Sequence, residues 1–173
     1  MVTTTPNETR RRAWEAAAAV TDPELPMLTL ADLGILREVE VSEEGTVAVW
    51  ITPTYSGCPA LAEMRVDVDR ALRAAGFDDV EVRTALSPAW TTDWITEEGR
   101  RKLTEHGISA PGRAPARPSG PVPLTLLPTR TVPRCPRCGT ADTEELSRFG
   151  STSCKSLHRC RSCLEPFEHV KEI

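Results

Sequence analysis

Along roughly the first hundred residues, apolar positions switch between helical and alternating spacing, and each switch marks an element. Residues 10–20 are Ala-rich and predict a helix, with Thr5-Pro6-Asn7-Glu8 as a capping box ahead of it. Asp22-Pro23-Glu24-Leu25-Pro26 ends that helix, because a residue preceding proline avoids helical backbone angles. Residues 35–41 and 46–52 alternate as two strands joined by a hairpin turn at Ser42-Glu43-Glu44-Gly45. Val47, Val49 and Ile51 share one side; Ala48, Trp50 and Thr52 share the other. Leu61, Met64, Val68, Leu72 and Ala75 then recur at helical spacing up to Gly76. Val80, Val82, Thr84 and Leu86 predict a third strand, and residues 96–106 a closing short helix. The order α-β-β-α-β-α predicts an α+β domain, a small three-stranded sheet with its helices on one face.

The periodicity stops at Ile108. Residues 108–133 hold seven prolines in 26 residues, which removes backbone donors and excludes helix and central strand. The expected organisation is therefore a domain at 1–107, a semi-rigid Pro-rich linker at 108–133, and a Cys-rich module at 134–173. A chain of 173 residues suits one modest domain plus a small one. Hydrophobic residues make up 39% and aromatics 5%, so the core is built mainly from Ala, Val, Leu and Ile. No apolar run approaches the ~20 residues that span a bilayer. The polar N-terminus, with Arg10, Arg11 and Arg12, does not read as a signal peptide. The expectation is a cytoplasmic protein without membrane partners, whose six cysteines serve as metal ligands or reactive thiols.

Charge narrows the partners. The net −4 combines 11 basic and 19 acidic side chains in residues 1–107, three arginines and no acids in 108–133, and seven basic and six acidic in 134–173. Neither part has the basic surplus that phosphate-backbone binding requires, so no nucleic-acid partner is expected. No glycine-rich loop supports a nucleotide site.

The tail carries the strongest chemical signal. Cys135-Pro136-Arg137-Cys138-Gly139 and Cys160-Arg161-Ser162-Cys163 are two C-x-x-C pairs separated by 21 residues. Each turn sets two thiolates on one side of a tight loop, and two such knuckles supply a tetrahedron of sulfurs about 2.3 Å from an ion. The segment is too short to fold on apolar burial alone, and a metal removes that difficulty. Four sulfurs leave no open position, which predicts a structural four-cysteine zinc ribbon with Cys135, Cys138, Cys160 and Cys163 as ligands. A rubredoxin-like iron uses the same ligands. Cys154 offers a fifth sulfur that keeps an iron–sulfur cluster open, or is a small packed thiol. His158 and His169 are expected on the surface or in packing.

In Tyr55-Ser56-Gly57-Cys58-Pro59, Pro59 suits a first helical turn and places Cys58 at or beside the N-cap, where helix N–H groups favour a thiolate. Such a cysteine either handles a soft metal or merely occupies the cap. All three histidines lie beyond residue 105, so no Cys–His nucleophile pair forms locally and no catalytic residue is expected. Asp22 and Glu24 are candidate oxygen ligands or hydrogen-bond acceptors near Cys58, or simply the turn that ends the helix. Trp90 and Trp94, in a chain with eight aromatic residues, predict either a partner-docking platform or a cover for the core edge.

Asp22 to Pro26, Asp32-Leu33-Gly34-Ile35 and the run ending in Gly57-Cys58-Pro59 resemble the SufT-like iron–sulfur assembly domain. Ser87-Pro88-Ala89-Trp90-Thr91-Thr92-Asp93-Trp94, Phe149-Gly150-Ser151-Thr152-Ser153-Cys154-Lys155 and Glu165-Pro166-Phe167 are similar to the PaaD family of bacterial phenylacetate degradation. His158 and His169 depart from that family's pattern, which carries aromatics there. The resemblance implies an accessory role beside a phenylacetyl-CoA (ring 1,2-) epoxidase, whose components are a di-iron oxygenase and an iron–sulfur reductase. It implies that the protein matures their iron–sulfur or iron cofactor, or else scaffolds the complex, rather than turning over substrate. Cys58 then handles a transient iron or cluster beside Asp22 and Glu24, and Cys154 gains a role as an accessory thiol. A homodimer stays open.

Overall fold

The computed structural model describes residues 5–55, 57–114 and 132–173. They belong to two compact units, Met1–Trp90 with Trp94–Gly99, and Thr91–Asp93 with Arg100–Ile173.

In the first unit, α1 spans Pro6–Ala18. It begins four residues earlier than the alanine run suggests, because Thr5 acts as N-cap, its hydroxyl accepting the Glu8 N–H at 3.4 Å, with Pro6 in the first turn. Ala13 and Ala17 are wholly buried, small enough to bring the helix close to the sheet. The sheet consists of β1 (Leu36–Val41), β2 (Val47–Ile51) and β3 (Val80–Thr84), in the order β1-β2-β3. β1 runs antiparallel to β2, and β2 parallel to β3 through the crossover helix α2 (Leu61–Ala74). Val39, Val47, Val49 and Ile51 on the sheet and Met64, Val68 and Leu72 on α2 are all buried in the core. Burying each such side chain contributes about 1.5–3 kcal/mol. Alternation and helical spacing thus predict the right faces. Leu86 is the exception: β3 stops at Thr84 and Leu86 is exposed.

A short 3₁₀ turn, Thr92–Trp94, precedes α3 (Glu97–Glu105). The second unit's sheet has four strands, β4 (Ile108–Ser109), β5 (Thr143–Ser147), β6 (Lys155–Cys160) and β7 (Pro166–Val170), in the order β4-β7-β6-β5. β5, β6 and β7 form the antiparallel ribbon, and β4 joins parallel to β7.

β4 corrects the expected linker. Ile108 and Ser109 are buried strand residues, on a sheet edge where a following proline is tolerated. Gly112 N–H donates to Glu172 Oε1 at 2.9 Å, tying the next residues to the same unit. The boundary expected at 107/108 instead falls near residue 100, and the proline-rich stretch starts and ends within the second unit. A protease site inserted after Gly120 should therefore give two fragments that co-elute under native conditions. Fragments separating on a sizing column without denaturant would show that β4 does not hold the ribbon.

Candidate functional site

The ribbon cysteines come together as the spacing requires. In the first knuckle, Gly139 N–H donates to Cys135 O at 2.9 Å, and Gly139 adopts φ 75°. In the second, between β6 and β7, Cys160 N–H donates to Glu165 O at 3.0 Å, and Cys163 N–H reaches the Cys160 sulfur at 3.4 Å. All four Sγ atoms lie within 4.8 Å of one another. Cys138 and Cys160 are 3.5 Å apart, Cys135 and Cys163 3.7 Å. A disulfide needs about 2.05 Å. A tetrahedron with legs of about 2.3 Å has edges of about 3.8 Å, so the donor set fits a single tetrathiolate-bound ion.

Cys135 and Cys160 are buried against Phe167, while Cys138 and Cys163 face solvent. The Cys163 N–H draws the Cys160 thiol down to about 6. The Glu165 backbone pulls Cys163 the same way, but the neighbouring sulfurs and burial outweigh it and hold that thiol at about 12. Cys154 is not in the cluster. It is half-buried, with its sulfur 3.0 Å from the Thr152 hydroxyl, so the idea of a fifth cluster ligand finds no geometric support.

The two ribbon histidines are packing residues. His158 stacks on Phe167 at 5.7 Å, its Nε2 lies 2.9 Å from Ser156 Oγ, and burial pushes it toward the neutral form. His169 Nδ1 lies 3.2 Å from Ser109 O, clasping β4. Its Nε2 is 3.3 Å from Glu172 Oε1, too poorly aligned to count as a hydrogen bond. Burial alone would raise Glu172, yet His169 and the Gly112 N–H hold it at about 2. Lys155, also buried, pairs with Glu168 at 2.8 Å, and Glu168 accepts the Ser151 N–H. That pair fixes the turn through Gly150 and Ser151.

The Cys58 loop differs from expectation. The N-cap of α2 is Ala60, not Cys58 or Pro59. Cys58 sits two residues before it, with its N–H donating to Tyr55 O at 3.1 Å and its carbonyl accepting the Leu61 N–H at 3.2 Å. Its backbone carbonyl therefore occupies the helix end, and its half-exposed side chain lies outside the first turn. Asp22 is buried, its Oδ1 accepting the N–H groups of Glu24 at 2.9 Å and Leu25 at 2.8 Å. It builds the 22–28 loop in the manner of an Asx turn. Glu24 is half-buried. Among the described residues, only the four ribbon cysteines form a cluster of three or more metal-ligand atoms, so Asp22, Glu24 and Cys58 make no preassembled three-ligand site.

The docking platform expected at Trp90 and Trp94 also needs correction. Trp90 is 3% exposed, and its Nε1–H donates to Leu33 O at 2.9 Å. Trp94 is half-buried under the Arg37 guanidinium, 3.6 Å from the ring centre. Thr91 and Thr92 between them hold Ile173 O, through the Thr92 N–H at 3.1 Å and the Thr91 hydroxyl at 2.8 Å. Sequence reasoning missed the part played by Asp32. Its Oδ2 accepts the Thr29 N–H, and its own N–H donates to Thr29 Oγ1, both at 3.0 Å. The Thr-x-x-Asp spacing is a reciprocal cap that could have revealed it.

Residues 10–84 match the family described as iron-sulfur cluster assembly protein, and residues 119–171 the PaaD zinc beta ribbon domain. The chain is 44% identical over 160 residues to an Escherichia coli (strain K12) protein whose name places it among the subunits of 1,2-phenylacetyl-CoA epoxidase, covering 92% of this chain and 91% of that one. The chain belongs to the PaaD family. Its first half is also 35% identical to the Fe-S protein maturation auxiliary factor SufT of Staphylococcus aureus (strain USA300), covering 49% of this chain and 96% of the relative. A DUF59 domain from Bacillus anthracis shares the fold, with a TM-score of 0.53 at 23% identity over 57% of this chain and 93% of that one. The α+β architecture with a C-terminal zinc ribbon is thus the PaaD arrangement. No helix among the described residues is long and apolar enough to cross a membrane.

Proposed function

We propose that this PaaD-family protein is a non-catalytic accessory factor of bacterial phenylacetate degradation. It assists iron–sulfur or iron-cofactor maturation of the oxygenase or reductase components of the phenylacetyl-CoA epoxidase, in the cytoplasm. The observation that carries this reading is Cys58, a half-exposed thiol inside the segment that matches the assembly family and outside the four-sulfur cluster of the ribbon. One thiolate holds a soft metal weakly, as a donor that passes its cargo on must. Asp22 shapes the neighbouring loop and Glu24 supplies an auxiliary oxygen. The ribbon holds a structural zinc through Cys135, Cys138, Cys160 and Cys163.

Co-expressing Cys58→Ala with the epoxidase components should drop their iron content and epoxidation to the level seen without this protein, while its own zinc stays at one per chain. Unchanged cofactor loading would refute the assignment. A second reading, a scaffolding subunit of the oxygenase complex, is favoured by the word subunit in the relative's name. It predicts co-elution with the components at fixed stoichiometry, and the same chromatography reads whether the chain dimerises.

A further inference from the structure

His169 and Glu172 do more than fasten β4. Both line a cavity of about 470 Å³ in the second unit, a volume in the range of roughly 300–1,000 Å³ that small-molecule sites occupy. Pro111, Pro133, Pro136 and Val132 give it apolar walls. His169 is 3% exposed, yet its Nε2 has no hydrogen-bond partner. The Ser109 carbonyl can only accept, so the Nδ1 that faces it at 3.2 Å carries the ring proton. In the neutral ring Nε2 is then a bare acceptor, and the atom 3.3 Å away, Glu172 Oε1, is an acceptor too. A second ring proton does not mend this, because an N–H at Nε2 is not aligned on that oxygen.

Glu172 has the same need from the other side. Its side chain is 13% exposed, and no lysine or arginine pairs with it among the described residues. The Gly112 N–H donates to its Oε1 at 2.9 Å, but a carboxylate offers about four acceptor positions. Arg134, the other charged residue lining the cavity, spends its Nη1 on Gly139 O at 3.1 Å. A metal ion is not what is missing, since only the ribbon cysteines bring three or more ligand atoms together among the described residues. A carboxylate ligand would face Glu172 and a bare lone pair, and a purely apolar one would leave both groups unpaired. A primary ammonium ion supplies positive charge and three N–H groups, enough for Nε2 and the carboxylate together.

We propose that this cavity binds a small organic ammonium ion, its head held by His169 Nε2 and the Glu172 carboxylate and its apolar body lying against Pro111, Pro133 and Pro136. Cys58 belongs to the other unit, so the test below leaves the maturation reading to its own experiment. Calorimetric titration of the zinc-loaded full chain with benzylammonium should show saturable one-to-one binding. Benzyl alcohol and benzoate, of nearly the same size, should bind about tenfold more weakly or less. Glu172→Gln keeps an oxygen for Gly112 and sets an amide N–H beside Nε2, placing inside the chain the donor that the ligand supplies. It should weaken benzylammonium binding about tenfold or more, while the variant retains one zinc per chain and melts no lower than the wild type. Nitrogen-15 spectra of the His169 ring should show a proton on Nδ1 and a lone pair on Nε2, with benzylammonium shifting the Nε2 resonance. Absence of saturable binding, equal binding of benzyl alcohol, or unchanged affinity in Glu172→Gln overturns the proposal. So does a His169 ring that carries both protons in the ligand-free protein at neutral pH. Tighter binding of Nα-acetyl-lysine amide than of benzylammonium would give the site to a lysine of a partner protein and overturn the small-molecule assignment.

Discussion

Removing the ribbon metal with a strong zinc chelator, or replacing Cys160 by serine, should melt β5, β6 and β7 outright while leaving α1, α2 and the first sheet folded. Structural zinc contributes about 10–16 kcal/mol of apparent binding free energy near neutral pH, as large as the whole stability of an ordinary domain. The apolar core cannot replace it, because the ribbon's buried cluster is Cys135, Cys160 and Phe167, two of whose three members are ligands. Cys160 should be the most damaging single position, being wholly buried and the receiver of the Cys163 N–H. Serine there leaves a buried hydroxyl where a thiolate closed the tetrahedron. Amide hydrogen exchange reads the outcome by element: protection of Leu157, His158 and Phe167 should collapse to that of unfolded peptide, while Val49, Val68 and Leu72 keep theirs. Retained protection across β6 and β7 in zinc-free protein would show that the ribbon does not depend on its metal.

What can be read from the chain follows the range of the interaction. The Thr5 cap, the valines of β2, the α2 stripe and both knuckles depend on neighbours within a few residues, and local signals suffice for them. β4 leaves no trace, because two residues cannot display a period and their partner Glu168–His169 lies some sixty positions away. Cys58 lies two residues from the cap rather than on it, since Pro59 satisfies the missing-donor rule just before the cap as well as in the first turn. The tryptophans are ambiguous for another reason. Composition makes an aromatic conspicuous but does not say which side of it meets water, and the Leu33 carbonyl that receives Trp90 is 57 residues upstream. The four-cysteine site is therefore legible residue by residue, whereas the surroundings of Trp90 and Trp94 are not. Leu164 looks ordinary until its backbone angle is known.

Gly34→Ala is expected to be the most destabilising substitution in the first unit. Asp32-Leu33-Gly34 and the stretch from Trp90 to Gly99 are two sides of one contact: Thr96 N–H donates to Asp32 O at 2.9 Å and Trp90 to Leu33 O. A Cβ on Gly34 would stand 2.6 Å from both the Cβ and the carbonyl oxygen of Trp94. Neither is the free end of a flexible side chain, and Trp94 is further held beneath Arg37. Gly34 also has φ 66°, so alanine adds about 1 kcal/mol or more of conformational cost to about 1–3 kcal/mol of overpacking. At roughly 4–8 °C per kcal/mol for a domain of this size, the midpoint should fall by about 10 °C or more. Gly45→Ala separates the two contributions. Its φ of 94° is also left-handed, but no atom lies within 4 Å of the added carbon, so only the conformational part should be lost. Gly99→Ala, at φ outside that region but 2.8 Å from Asp32 O, should lose chiefly the steric part. Thermal unfolding followed by far-UV circular dichroism would rank the three. Gly34→Ala melting no lower than Gly45→Ala would mean that Trp94 gives way freely, and that the Asp32–Ile35 and Ser87–Trp94 motifs do not brace one another.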